Sequence, residues 1–147
     1  MAAVILQLGT NLGDRKANIT RALELLDAAL GPHEAVSQIS ETEAIGFSGP
    51  AFLNCAVRYR TGKRPLTVLR ICKDIEYAMG RRETPEFSAD GTRIYHDRII
   101  DIDILVWLTA KGPLELRTKT LTLPHPQVEE RPFVKPLLKQ VLTGESR

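Results

Sequence analysis

Residues 99–108 read Ile-Ile-Asp-Ile-Asp-Ile-Leu-Val-Trp-Leu, the strongest strand signal in the chain. Side chains alternate across a strand, so Ile100, Ile102 and Ile104 share one face. Asp101 and Asp103 share the other, about 7 Å apart at their Cα atoms. Aspartate is disfavoured in strands, and two like charges at that spacing repel. A hard divalent cation offsets both costs. Carboxylate oxygens suit Mg²⁺, which keeps several waters and binds nucleotide phosphates as well. Two such ions can bridge a polyphosphate and stabilise charge on the attacking and leaving oxygens. The competing reading is a solvated acidic face, or inward-pointing charges that protect a sheet edge. Spacing alone leaves both open.

Upstream of this strand lies a polar stretch, residues 81–98, that reads as a loop without a core of its own. It carries Arg81, Arg82, Arg93 and Arg98. Arginines suit phosphate oxygens, so this stretch reads either as a solvated loop or as a lid over a triphosphate. Before it, Leu69, Cys72, Ile75 and Met79 mark a helix that begins near Pro65 and ends at Gly80. Glu76 sits one position off that apolar stripe, where a surface acid is the ordinary expectation.

Towards the N-terminus, residues 52–60 alternate as a strand, with Phe52, Asn54, Ala56 and Arg58 on one face. An asparagine there needs partners, and its amide matches the edge of a flat heterocycle. For Phe52, core packing is the default. Residues 36–42 read as a strand and residues 3–8 as a buried first strand. Gly9-Thr-Asn-Leu-Gly-Asp14 is a turn whose last residue can cap a helix running through Ile19, Leu23, Leu26 and Leu30 to Gly31-Pro32. The turn lacks the Gly-Lys-Ser/Thr ending of a Walker A loop, which rejects that assignment.

Downstream, Lys111-Gly112-Pro113 is a turn, residues 119–123 form a possible strand, and residues 128–142 are helical in part, broken by Pro132 and Pro136. His125 lies in Leu-Pro-His-Pro, as a turn residue or a phosphate partner; Arg131 and Phe133 follow it. The order β-α-β-β-α-β with a β/α tail predicts an α+β, ferredoxin-like fold. Its sheet is mainly antiparallel with helices on one face, in a single domain over 1–147.

The 147 residues suit one domain, and 43% hydrophobic with 26% charged is ordinary composition. A net charge of +2 argues against coating nucleic acid or anionic membrane. Cys55 and Cys72 read as buried free thiols, without a disulfide framework. The apolar run Ala2–Leu8 is too short for a membrane helix and lacks a signal-peptide shape, which points to the cytoplasm.

Taken together, the segments resemble the 6-hydroxymethyl-7,8-dihydropterin pyrophosphokinase family. The resembling stretches are Gly9–Asp14, Glu41-Thr-Glu43 with Gly46, Phe52-Leu-Asn54, Ile75-Glu76 with Gly80-Arg81, Arg98-Ile-Ile-Asp-Ile-Asp-Ile104, and Leu123-Pro-His-Pro126 with Arg131 and Phe133. They cover roughly residues 4–138 in the family's order. The resemblance implies transfer of pyrophosphate from ATP to the pterin alcohol, with AMP leaving. It implies that Asp101 and Asp103 bind two magnesium ions, with Arg81 and Arg98 beside them as catalytic cations. Phe52 and Phe133 would sandwich the pterin, while Asn54, Thr42 and the backbone near Ile45 read its edge. Glu76, Arg81, Arg98, Ile104, Thr122, His125 and Arg131 would line the ATP site, in a monomer.

The sequence departs from the family in places. The 81–98 segment is longer than in short members, and Tyr95-His96-Asp97 replaces a Trp-Gly-Pro run. Either Arg82 or Arg93 would be the lid arginine. Thr120 stands where some members carry arginine, with Arg117 or Lys119 as substitutes, and Pro126 replaces an aromatic residue. No general base is evident. A non-catalytic ferredoxin-like module that binds a small ligand is the alternative; it gives the acid pair no task. An RNA-binding sheet fits poorly, since aromatics make up only 5% of the chain.

Overall fold

The computed structural model describes residues 1–44, 49–80, 86–87, 89–91, 93–94 and 98–143, with residues 86–87 and 93–94 described by backbone alone. The chain runs β1 (Ala2–Thr10), α1 (Arg15–Leu30), β2 (Ala35–Val36), β3 (Ser40–Thr42), β4 (Phe52–Thr61) and α2 (Pro65–Ala78). It continues through β5 (Glu86–Phe87), β6 (Arg93–Ile94), β7 (Asp101–Thr109), β8 (Gly112–Pro113), β9 (Leu116–Arg117) and β10 (Thr122–Leu123). Two helices close it, α3 (Gln127–Glu130) and α4 (Val134–Val141).

The main sheet has the order β2-β4-β1-β7-β8, with β3 also paired to β4, and every pairing is antiparallel. Counting β2 and β3 as one broken strand gives the ferredoxin-like order expected from βαββαβ. The period-two pattern of β7 fixes its register. Ile100, Ile102 and Ile104 are buried at 0%, 1% and 1% exposure, and burying each stabilises the fold by roughly 1.5–3 kcal/mol. A one-residue slip would exchange those isoleucines for the aspartates.

The first face of the sheet carries Val4, Leu6, Leu8, Cys55, Val57 and Ile102, packed against Ile19, Ala22 and Leu26 of α1 and Val68 and Cys72 of α2. Asp14 caps α1 as expected, its carboxylate accepting from the Ala17 N–H at 3.1 Å. The opposite face is not bare. Ile5, Ala56, Leu105 and Val106 meet Val128, Val134, Leu137, Leu138 and Val141 of the tail. The expectation of helices on one face therefore holds for α1 and α2 and fails for α3 and α4. The tail wraps around the sheet because its apolar positions find the second set of strand side chains. A register shift between Ile5 and Leu6 lets both Leu105 and Val106 join that second cluster.

Other boundaries differ locally. The strand expected over 36–42 is split into β2 and β3, and the Ser37 side chain fills the break by accepting the Ala56 N–H at 2.8 Å. Gly112 and Pro113 pair with β7, so the turn falls at Ala110 and Lys111. The stretch read as loop contains a small hairpin, β5 on β6.

Candidate active site

Gly9 and Thr10, expected in the turn, continue β1, and the turn proper, residues 11–14, works as scaffold. Asn11 donates its N–H to the Arg98 carbonyl at 3.0 Å, and its Oδ1 accepts the Arg98 N–H at 2.6 Å. Its Nδ2 reaches the Pro50 carbonyl at 3.0 Å. The turn thus stitches the approach to β7 to the segment before β4. Arg15 adds bonds to Glu41 and the Ala51 carbonyl, both at 2.8 Å.

Above this scaffold, Gly9 of β1 lies between Asn54 of β4 and Asp101 of β7 in one cross-strand row. The next row is Ala56, Gln7 and Asp103. Both aspartates therefore share a face with Asn54 and Phe52. A Cβ on Gly9 would come within 3.3 Å of Asn54 Oδ1 and 3.7 Å of Phe52 Cδ1, so glycine leaves room for those two side chains. Asn54 is 3% exposed; its Nδ2 donates to Thr42 Oγ1 at 2.9 Å and to the Ser40 carbonyl at 3.3 Å. Those bonds leave its Oδ1 facing Gly9. Phe52 is half-buried, and Phe133 is half-buried against the cluster on the same sheet face.

A cavity of about 270 Å³ opens on the free edge of β7. Its apolar wall is Leu69, Ile102, Ile104 and Leu121; Asp103, Lys73, Lys119, Thr120, Thr122 and His125 supply the polar groups. The sequence-predicted Ile104, Thr122 and His125 thus gather in one place. Asp103 belongs both to this cavity and to the face that carries Asn54.

Burial and the charges of Asp101 and Glu76 push the Asp103 carboxyl up to about 7. Its side chain is 25% exposed at the cavity mouth. Burial lowers the pKa of His125 below its ordinary value, outweighing the pull of Asp101. The His125 Nδ1 accepts the Gln127 N–H at 3.1 Å, which leaves the ring proton on Nε2. That Nε2 stands 3.9 Å from Asp103 Oδ1, too far for a hydrogen bond, and with the ring neutral the pair is not a salt bridge.

Glu76 is 3% exposed, against the expectation of a surface acid. Its Oε2 accepts the Ile102 N–H at 2.7 Å and its Oε1 pairs with Lys73 Nζ at 3.3 Å. It braces the strand between the two aspartates and is not among the residues lining the cavity. Arg98 is buried beside the Asn11 clamp, and Arg131 is exposed and outside the lining. Ile45, Arg81 and Arg82 lie outside the described residues, as does the side chain of Arg93. Sequence reasoning missed Lys73, Gln7 and Gln127. Lys73 could have been found one helical turn before Glu76; the glutamines carry no local signal.

Among the described residues no group of three or more His, Cys, Asp or Glu side chains forms a self-sufficient metal cage. Two carboxylates with raised local negative potential still suit a hard cation that draws its other ligands from water and phosphate.

The family model for 7,8-dihydro-6-hydroxymethylpterin-pyrophosphokinase (HPPK) matches residues 5–143. A Porphyromonas gingivalis protein named 2-amino-4-hydroxy-6-hydroxymethyldihydropteridine pyrophosphokinase is 42% identical over 142 residues, covering 96% of this chain and 91% of that one. An Aquifex aeolicus protein of the same name is 38% identical over 141 residues, covering 95% and 80%. A crystal structure described as HPPK-DHPS in complex with substrates superposes with a TM-score of 0.65 at 17% identity, over 95% of this chain and 40% of that one, a likeness of fold.

The family match and the relatives define a group-transfer enzyme acting on small molecules. The chain belongs to the 7,8-dihydro-6-hydroxymethylpterin-pyrophosphokinase family and is a pyrophosphokinase of folate biosynthesis, so the non-catalytic binding module is not favoured. No helix among the described residues is long and apolar enough to cross a membrane.

Proposed function

We propose that this chain transfers the pyrophosphoryl group of ATP to 6-hydroxymethyl-7,8-dihydropterin, with Asp101 and Asp103 holding two magnesium ions between the substrates. One observation carries the reading. Asp101 ends the cross-strand row of Asn54 and Gly9, and Asp103 in the next row lines the cavity at the edge of β7. In this reading the pterin edge meets Asn54 Oδ1 and Thr42, with the ring between Phe52 and Phe133, and the backbone near Ile45 adding to the edge contacts. The nucleotide base lies along Leu69, Ile102 and Ile104, and Thr122 orients it. His125 donates its Nε2 proton to a phosphate oxygen. Lys73 and Lys119 supply the cationic character that Thr120 lacks, alongside Arg81, Arg98 and Arg131.

Bound magnesium neutralises phosphate charge and makes the β-phosphorus more electrophilic. The chain itself contributes alignment. It holds the pterin hydroxymethyl oxygen in line with the β-phosphorus while AMP departs, which needs positioning more than a strong base. In this reading a single domain over 1–147 acts as a monomer. Cys55 and Cys72 are free and buried, with burial raising each thiol to about 12, so neither is a nucleophile in this reaction.

Incubating the protein with ATP, magnesium and the pterin should yield AMP and the pterin diphosphate. Asp101→Ala and Asp103→Ala should each fold yet lose at least about a hundredfold in turnover, the scale of removing a main charge-stabilising group. Undiminished magnesium-dependent AMP release by either variant would reject the assignment.

A further inference from the structure

We infer that Gln127, anchored by Gln7, is a positioning residue for the Asp103 carboxylate; the inference rests on the proposed metal role of that carboxylate. Gln7 lies on β1 directly across from Asp103. Gln127 reaches the same point from the first turn of α3. The two carboxamides are 5% and 7% exposed, in a part of the molecule otherwise filled by Ile5, Val128 and Leu105.

An amide nitrogen carries two protons, and both are used at this point. Gln127 Nε2 donates to Gln7 Oε1 at 2.9 Å and to Asp103 Oδ2 at 3.3 Å. The Asp103 carboxylate and the Gln7 carbonyl oxygen together set the orientation of the amide. A flipped Gln127 would place its Oε1 against both Gln7 Oε1 and a carboxylate. Asp103 Oδ2 is therefore held against the Gln127 amide. Oδ1 is the atom aimed toward His125, across a gap of 3.9 Å.

Stability does not account for this pair. Two facing apolar side chains of the same shape would be nearly neutral or better, whereas buried amides cost free energy unless fully bonded. The arrangement makes sense if the bond to Asp103 matters for what Asp103 must hold. Partners of this kind behind a ligating carboxylate typically change metal affinity or activity by about tenfold to a hundredfold. The backbone of the same residue also sets the His125 ring, since the Gln127 N–H donates to Nδ1 at 3.1 Å. Side-chain replacement leaves that second link in place, so the two effects separate.

The test uses the near-isosteric Gln127→Met and the double variant Gln7→Met with Gln127→Met. Mn²⁺ binding is measured by water-proton relaxation with a nonhydrolysable ATP analogue present, and thermal unfolding is recorded in parallel. Both variants should bind Mn²⁺ about tenfold or more weakly. In turnover the loss should fall on the magnesium KM more than on kcat. The double variant should regain stability lost in the single one without regaining metal affinity, which a purely structural pair would not do. A folded Gln127→Met that binds Mn²⁺ within about twofold of the parent overturns the inference. So does a double variant that recovers affinity together with stability. Asp103→Asn serves as the control. If Asp103→Asn weakens Mn²⁺ binding and Gln127→Met does not, this inference alone fails. If neither does, the metal assignment fails with it.

Discussion

Burial, and after it the charges of Asp101 and Glu76, push the Asp103 carboxyl up from its ordinary range to about 7. The linkage has a definite sign. Without metal, the folded chain holds this proton more tightly than the unfolded chain, whose carboxyl titrates near 3.8. The site therefore costs stability as pH rises from that value towards 7. A bound dication requires the carboxylate, so binding expels the proton. Magnesium affinity should fall by up to about tenfold per pH unit below 7 and level off above it. Titrations at about pH 6, 7 and 8 check this, and a flat profile would contradict a raised Asp103 carboxyl. The acid pair was legible in the sequence because alternation in a strand needs no tertiary information. Lys73, Gln7 and Gln127 were not legible, because their meaning comes from residues far away in the chain.

The partnership of α2 and β7 belongs to the scale of elements. Glu76 holds the Ile102 N–H at 2.7 Å on a strand edge that β8 does not reach. Its place one position off the apolar stripe made it look like a surface acid, yet that position turns its carboxylate onto the strand. Glu76→Gln should keep an oxygen for Ile102 and stay close to parental stability. Glu76→Leu leaves that N–H orphaned and should cost about 1–3 kcal/mol. Denaturant unfolding of both variants decides it, and equal stabilities would show that the bond matters little. Elements with strong periodicity, β1, β4, β7, α1 and α2, were legible. The hairpin of β5 and β6, the split between β2 and β3, and the short β9 were not. Each is two or three residues long and exists only through its pairing.

For the whole molecule, the sequence order revealed the ferredoxin-like sheet but not that the tail covers its second face. That placement depends on contacts such as Arg58, whose guanidinium reaches the Leu142 carbonyl at the end of α4 while its Nε meets Glu34 at 2.9 Å. Hydrogen bonds from Arg58 and Arg60 lower the Glu34 pKa from its ordinary 4.5. The stability this lends is complete above 4.5 and is lost as pH falls through the depressed value. Glu34→Gln should therefore be less stable than the parent at neutral pH and should converge with it in acid. A gap that persists at about pH 2 would assign the effect to packing.

Asn54 and Asp101 lie on the second face outside the apolar cluster of the tail, and there the two substrates are proposed to meet. The most direct test is a crystal of the protein with Mn²⁺, a nonhydrolysable ATP analogue and the pterin, read by anomalous scattering. The account expects manganese peaks within coordinating distance of Asp101 and Asp103, with the phosphates against them. Phosphates bound elsewhere, with neither carboxylate touching metal, would contradict it.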